Sequence, residues 1–227
     1  MKKITERHEP DEEQYIHTEG INYFKTGENS VWGPGDKDTL EFLRKMDIRG
    51  VWLNLAAGDG RYNVDLLKRA NFVVASDLDE SALSKLWYTT PTRYRPKLSI
   101  SVFDVTKKFP FKDGSFDGVF CASTLHYFPE DILSDIFLEL DRILKKRGRI
   151  MIEFATDMKR VFPDGNLYIR KSEPLYHYGG AVSFLKGLLK NYETHTTKSQ
   201  VPPEQVKTER FEYTLSCTLL ILIADKK

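Results

Sequence analysis

Residues 51–60 read Val51-Trp52-Leu53-Asn54-Leu55-Ala56-Ala57-Gly58-Asp59-Gly60: five mostly apolar residues run into a loop holding two glycines. Tyr62, Val64, Leu66 and Leu67 follow on a helical pattern, so the stretch reads as strand, tight loop, helix. The alternation continues outward. Phe72–Asp77 is a second strand, and Asp79 is placed to cap a helix holding Ala82, Leu83 and Leu86. Leu98 to Phe103 and Phe116 to Cys121 are the third and fourth strands. Pro129 sits in the first turn of a helix whose Ile132, Leu133, Ile136, Phe137, Leu140, Ile143 and Leu144 form one stripe; Gly148 ends it, and Arg149 to Phe154 is a fifth strand. Upstream, Gly33-Pro34-Gly35 breaks the chain, and Asp36 or Asp38 caps a helix covering Leu40, Phe42, Leu43 and Met46. Downstream, a helix over 183–191 precedes two strands near Glu193–Ser199 and Tyr213–Ala224, with no helix-sized segment between them. Strand–helix alternation predicts a parallel sheet covered on both faces, and the last two strands should form an antiparallel hairpin.

The 227 residues make an ordinary single α/β domain, 1–227, able to bury a substantial core. A net charge of +1 gives no global field toward nucleic acid or an anionic membrane. Two cysteines, Cys121 and Cys217, suggest neither a disulfide scaffold nor a zinc site, and a reduced cytoplasmic setting is the default. The charged N-terminus does not read as a signal peptide, and Leu219–Ala224 is too short to cross a bilayer, so no membrane association is expected. The histidines (8, 17, 126, 177 and 195) lack ligand spacing, so no metal is expected.

In open α/β sheets ligands bind beyond the carboxyl ends of the strands, where the strand order switches. Four groups lie there. The loop 54–60 lets the backbone turn sharply and a ligand approach it closely, although a tight turn alone would use the same glycines. Asp77, ending the second strand, can accept both hydroxyls of a ribose; helix capping is left to Asp79. Asp104, before Val105, can accept from an adenine amino group or serve its own turn. The run Phe109–Asp117 prescribes a turn into the fourth strand.

These residues together resemble the class I S-adenosylmethionine-dependent methyltransferases, over about 50 to 155 and in the final hairpin. The resemblance implies a three-layer Rossmann-like methyltransferase fold with a mostly parallel seven-stranded sheet. It implies S-adenosyl-L-methionine as cofactor. Asn54, Ala56, Ala57, Gly58 and Gly60 match the loop that wraps the methionine part. Asp77 matches the ribose-holding position, Leu78 packs on the adenine, and Asp104 and Val105 match positions contacting it. Cys121, Ala122 and Ser123 match the segment lining the methionine end, and the basic Leu144–Arg149 turn matches the one before the fifth strand. Two positions depart from the family: Asn54 replaces an acid and Ala56 a glycine, and Ala56 fits only at negative φ. The chain then divides into an N-terminal cap and first helix (1–48), the cofactor core (49–155), a substrate-side insertion (156–182) and the last helix and strands (183–227).

Methyl transfer requires chiefly alignment and exclusion of water, with a base only for a protonated acceptor. His126 and Tyr127, past the fourth strand, are the candidate catalytic side chains; His126 would be the base, unless it merely contacts backbone at the start of a helix. Positions 121–128 lack the signature of amino-methylating DNA enzymes, so DNA is not expected as acceptor. Tyr15, His17, Tyr23, Phe24 and Trp32, with Tyr168, Tyr176, His177 and Tyr178, are candidates for a lid over an acceptor pocket. A small organic acceptor is preferred, with RNA and protein left open. Two alternatives stand beside this reading. A nicotinamide-dependent oxidoreductase would want a third glycine where Asn63 stands. A non-catalytic cofactor-binding protein on the same fold would tolerate Asn54 and Ala56.

Overall fold

The computed structural model describes residues 21–169, 173–207 and 212–227. Strands β1 (Val51–Leu55), β2 (Phe72–Asp77), β3 (Leu98–Val102), β4 (Phe116–Ala122), β5 (Leu144–Val161), β6 (Tyr192–Lys207) and β7 (Glu212–Lys226) form one seven-stranded sheet, ordered β3-β2-β1-β4-β5-β7-β6. The pairs among β1 to β5 are parallel; β7 runs antiparallel to both β5 and β6. The fold is therefore the Rossmann-like methyltransferase arrangement, and the order switches between β1 and β4.

Alternation along each strand sends side chains to two cores. Trp52, Val73, Ala75, Phe120 and Met151 pack with Leu43 of α1 (Lys37–Lys45), Leu66 and Leu67 of α2 (Asn63–Leu67), and Leu83 and Leu86 of α3 (Glu80–Thr89). Leu53, Leu55, Val119, Cys121, Ile152 and Phe154 face the other side. They pack there with Leu133, Ile136 and Leu140 of α4 (Glu130–Ile143) and Leu185 of α5 (Tyr178–Leu188). Asp36 caps α1 by accepting from Thr39 N (2.9 Å), and Asp79 caps α3 by accepting from Ser81 N (2.8 Å).

Several boundaries differ from expectation. The helix α2 is only five residues long, with Tyr62 as its N-cap. The helix α4 stops at Ile143, because Leu144 already pairs with Phe116 in the sheet; Gly148 lies in a bulge that also holds Arg147 at φ +62°. Two residues of that basic turn are paired, Lys145 with Asp117 (2.8 Å) and Arg149 with Asp225 (2.6 Å). The helix α5 begins at Tyr178, earlier than expected, and ends at Leu188. The strand β5 continues to Val161, into the segment read as an insertion, and β6 and β7 extend alongside it. The three form a wall that rises past the carboxyl end of β4, whose Ala122 lies opposite Glu153. No helix among the described residues is long and apolar enough to cross a membrane.

Candidate active site

The first loop is fastened to the ends of its neighbours. Ala57 N donates to Ser76 O (2.7 Å), and Gly58 N donates to Asp77 Oδ2 (2.8 Å). Asp77 Oδ1 accepts from Asp79 N (3.0 Å), and Phe103 N donates to Asp77 O (3.1 Å), which draws the end of β3 to the same place. Burial raises the Asp77 carboxyl above its usual range, against the backbone N–H groups that lower it. A carboxylate has about four lone-pair sites, so two partners leave acceptor capacity for a ligand. Leu78 beside it is 48% exposed, an open apolar face.

Beneath the loop, buried Asn54 donates through Nδ2 to Asn63 Oδ1 (3.2 Å), and Asn63 Nδ2 has no partner among the described residues. Gly60 takes φ +95°, and a side chain there would meet Leu86. Ala56 does not take negative φ: it sits at +52°, because the loop must reverse directly off β1 whichever residue stands there. The left-handed region costs Ala about 1 kcal/mol or more.

The segment after β4 lies alongside. Cys121 is fully buried opposite Leu55, and its thiol is pushed up by burial and then by the charges of Asp77 and Glu153. Ala122 and Ser123 are half-buried, with Ser123 at φ +55°. Thus Asn54, Ala56–Gly58, Gly60, Asp77, Leu78 and Cys121–Ser123 converge on the β2–β1–β4 ends. Asp104 adjoins them, but its Oδ1 accepts from Thr106 N and Oγ1 (both 2.8 Å), so it serves its own turn. Val105 is buried in the core.

His126 and Tyr127 lie further over, toward β5, in a short turn, Leu125–Tyr127. The His126 ring is buried against Tyr127 (4.1 Å between centroids) and Phe154 (6.0 Å). Its Nδ1 has no partner among the described residues. Burial, and then the positive charge of Arg160, push it down to about 3. Arg160 is itself buried and bonded twice to Glu173 (2.5 and 2.7 Å), with the Tyr168 ring 5.8 Å away. Of the lid aromatics, Tyr176 donates to Phe128 O (2.8 Å), His177 and Tyr178 stand at the start of α5, and Trp32 is half-exposed near Gly58. Tyr15 and His17 lie outside the described residues.

Two further buried charged features, an ion pair and a lone carboxylate, escaped the sequence reading. Asp59 and Lys85 form an ion pair (2.9 Å) with both side chains fully buried. Asp59 also accepts from Ser30 Oγ (2.6 Å) and Val31 N (2.7 Å), while Lys85 donates to Asn29 O (2.6 Å) and Thr26 Oγ1 (2.7 Å). Residues 26–32 are thereby strapped across the glycine loop. The signal was Lys85 lying among Ala82, Leu83 and Leu86 on the buried side of α3. The second is Glu153, a lone acid in the apolar run Ile150–Ala155.

Residues 53–152 match the family model of a methyltransferase domain. That stretch, less than half of the chain, is thus similar to a methyltransferase domain. No curated protein matches it in sequence. Solved structures share its fold. DhpI in complex with SAH is 19% identical, with 82% of this chain and 81% of that one covered at a TM-score of 0.58. The PH0226 protein of Pyrococcus horikoshii is 22% identical, with 84% and 89% covered and a TM-score of 0.55. Phosphoethanolamine N-methyltransferase 1 of Haemonchus contortus, in complex with phosphoethanolamine and S-adenosylhomocysteine, is 16% identical, with 79% and 41% covered and a TM-score of 0.54.

Proposed function

We propose that the chain is an S-adenosylmethionine-dependent methyltransferase that holds its cofactor across the β2–β1–β4 ends and methylates a small organic acceptor received beside β5. The observation that carries the reading is Asp77, fixed between Gly58 N and Asp79 N with acceptor capacity left for the ribose hydroxyls. Leu78 and the 104–105 turn flank the adenine position, although Val105 is buried and would contribute from below. Asn54, Ala56, Ala57, Gly58 and Gly60 border the methionine part, with Cys121, Ala122 and Ser123 on its other side. Bound there, the cofactor supplies a methyl group carried on a positively charged sulfur.

The acceptor lies between Tyr127 and the β5 wall, where Tyr168 and the Arg160–Glu173 pair stand. DhpI appears in a complex with SAM and HEP, and the Haemonchus contortus enzyme in one with phosphoethanolamine, which supports a small molecule here also. Burial and then Arg160 push His126 down to about 3, which makes its ring a weak base, so the role proposed for it is to orient the acceptor as a hydrogen-bonding group. An acceptor that arrives unprotonated, such as a free amine, needs no base.

Isothermal titration tests the ribose assignment. Asp77→Ala should weaken S-adenosylhomocysteine binding at least about tenfold, in keeping with loss of hydrogen bonds to a charged group. Unchanged affinity would refute it. A radiolabelled methyl screen over metabolite, RNA and protein pools tests the acceptor class; label in RNA or protein alone would refute a small molecule.

A further inference from the structure

Glu153 is 1% exposed, yet it carries a carboxylate into the apolar centre of β5. Three hydroxyls surround it. Thr39 Oγ1 (2.8 Å) and the Tyr62 hydroxyl (2.6 Å) donate to Oε2, and Ser123 Oγ donates to Oε1. Three donated hydroxyls suit an ionised carboxylate, which only accepts. No cation pairs with it among the described residues. Arg160, which lies on the same wall, is bonded to Glu173, and Lys85 is bonded to Asp59.

Its place ties it to the candidate site. Glu153 is opposite Ala122 in the sheet, and Ser123 N donates to Glu153 O (2.9 Å). Its carboxylate holds the side chain of Ser123, whose backbone is left-handed, and that of Tyr62, which follows the glycine loop. Tyr62 in turn accepts from Asp36 N (2.7 Å) at the start of α1. One unbalanced negative charge therefore sits directly behind the segment assigned to the methionine end, in surroundings that screen it poorly.

We infer that Glu153 is a specificity-determining positioning residue that favours the cofactor with a positively charged sulfur over the demethylated form. This rests on the cofactor placement proposed above. The two forms differ by one positive charge at sulfur. A buried carboxylate behind Ser123 attracts one form and is indifferent to the other. The spent form is then the more weakly held, which promotes its exchange.

The test is isothermal titration of the full chain with S-adenosylmethionine and S-adenosylhomocysteine. The wild type should bind S-adenosylmethionine at least about fivefold more tightly, a ratio of affinities set by a charge at short range. Glu153→Gln keeps the shape and removes the charge, and should reduce that ratio at least about fivefold. Thr39→Val removes one donor but keeps the charge, and should leave the ratio within about twofold. A merely structural Glu153 would weaken both ligands equally in the Gln variant, and that result overturns the inference. Should the Gln variant fail to fold, the wild type decides, because equal affinities overturn it too. Wild-type protein that binds neither ligand would refute the cofactor placement as well, an outcome distinct from binding both without preference.

Discussion

His126 has a buried ring whose Nδ1 finds no partner among the described residues, and its charged form is disfavoured first by burial and then by Arg160. The sign of the linkage follows. The unfolded imidazole titrates at 6.5, the folded one at about 3. Between those values the unfolded chain binds a proton that the folded chain does not, so stability falls as pH falls below 6.5. At pH 5.5 the loss should be about 1.4 kcal/mol, one proton over one unit. Urea denaturation at pH 7.5 and 5.5 should show that loss in the wild type, and His126→Phe should remove it. An unaltered acid slope in the variant would mean that other groups cause it. The residue scale also marks where sequence reasoning reached its limit. The place of Asp77 beside the glycine loop was legible because it ends the second strand, and Asp79 was free to cap α3. The backbone of Ala56 was not legible, because the demand for φ +52° comes from the path of the loop between β1 and α2, not from the residue occupying it.

Among the elements, the strap 26–32 and helix α3 are joined through one buried pair, Asp59 and Lys85. Removing one member of such a pair leaves the other charged and desolvated, typically at a cost of about 3–5 kcal/mol. Lys85→Met should therefore lower the unfolding free energy by about that amount in urea, and Lys85→Met with Asp59→Asn by less than the sum of the single changes. A single-variant loss below about 1 kcal/mol would place the pair effectively in water. Strand and helix order was legible from apolar periodicity, since each element buries one stripe. Ends were less so. The helical stripe of α4 continues through Leu144, but sheet pairing with Phe116 outweighs it. The extension of β5 to Val161 is polar and charged, so periodicity could not announce it; it exists because β7 lies alongside to pair with it.

For the whole molecule, the site is assembled from segments far apart in the chain: the strap, the loop after β1, the acid after β2 and the turn after β4. The sheet order β3-β2-β1-β4 is what sets them side by side. Ligand affinity must then appear as global stability, because only the folded chain presents all of them. At a hundred times its dissociation constant, S-adenosylhomocysteine should stabilise the protein by about 2.7 kcal/mol. For a domain of this size each kcal/mol raises Tm by roughly 2–4 °C, so calorimetry should show a rise of about 5–10 °C. NAD at the same concentration should leave Tm unchanged, because the loop has Asn63 where a dinucleotide fingerprint needs its third glycine. A comparable rise with NAD would mean that the glycine loop and Asp77 hold a generic ribose rather than this cofactor. In Asp77→Ala the rise with S-adenosylhomocysteine should shrink, since a tenfold weaker ligand at fixed concentration gives up about 1.4 kcal/mol of linkage.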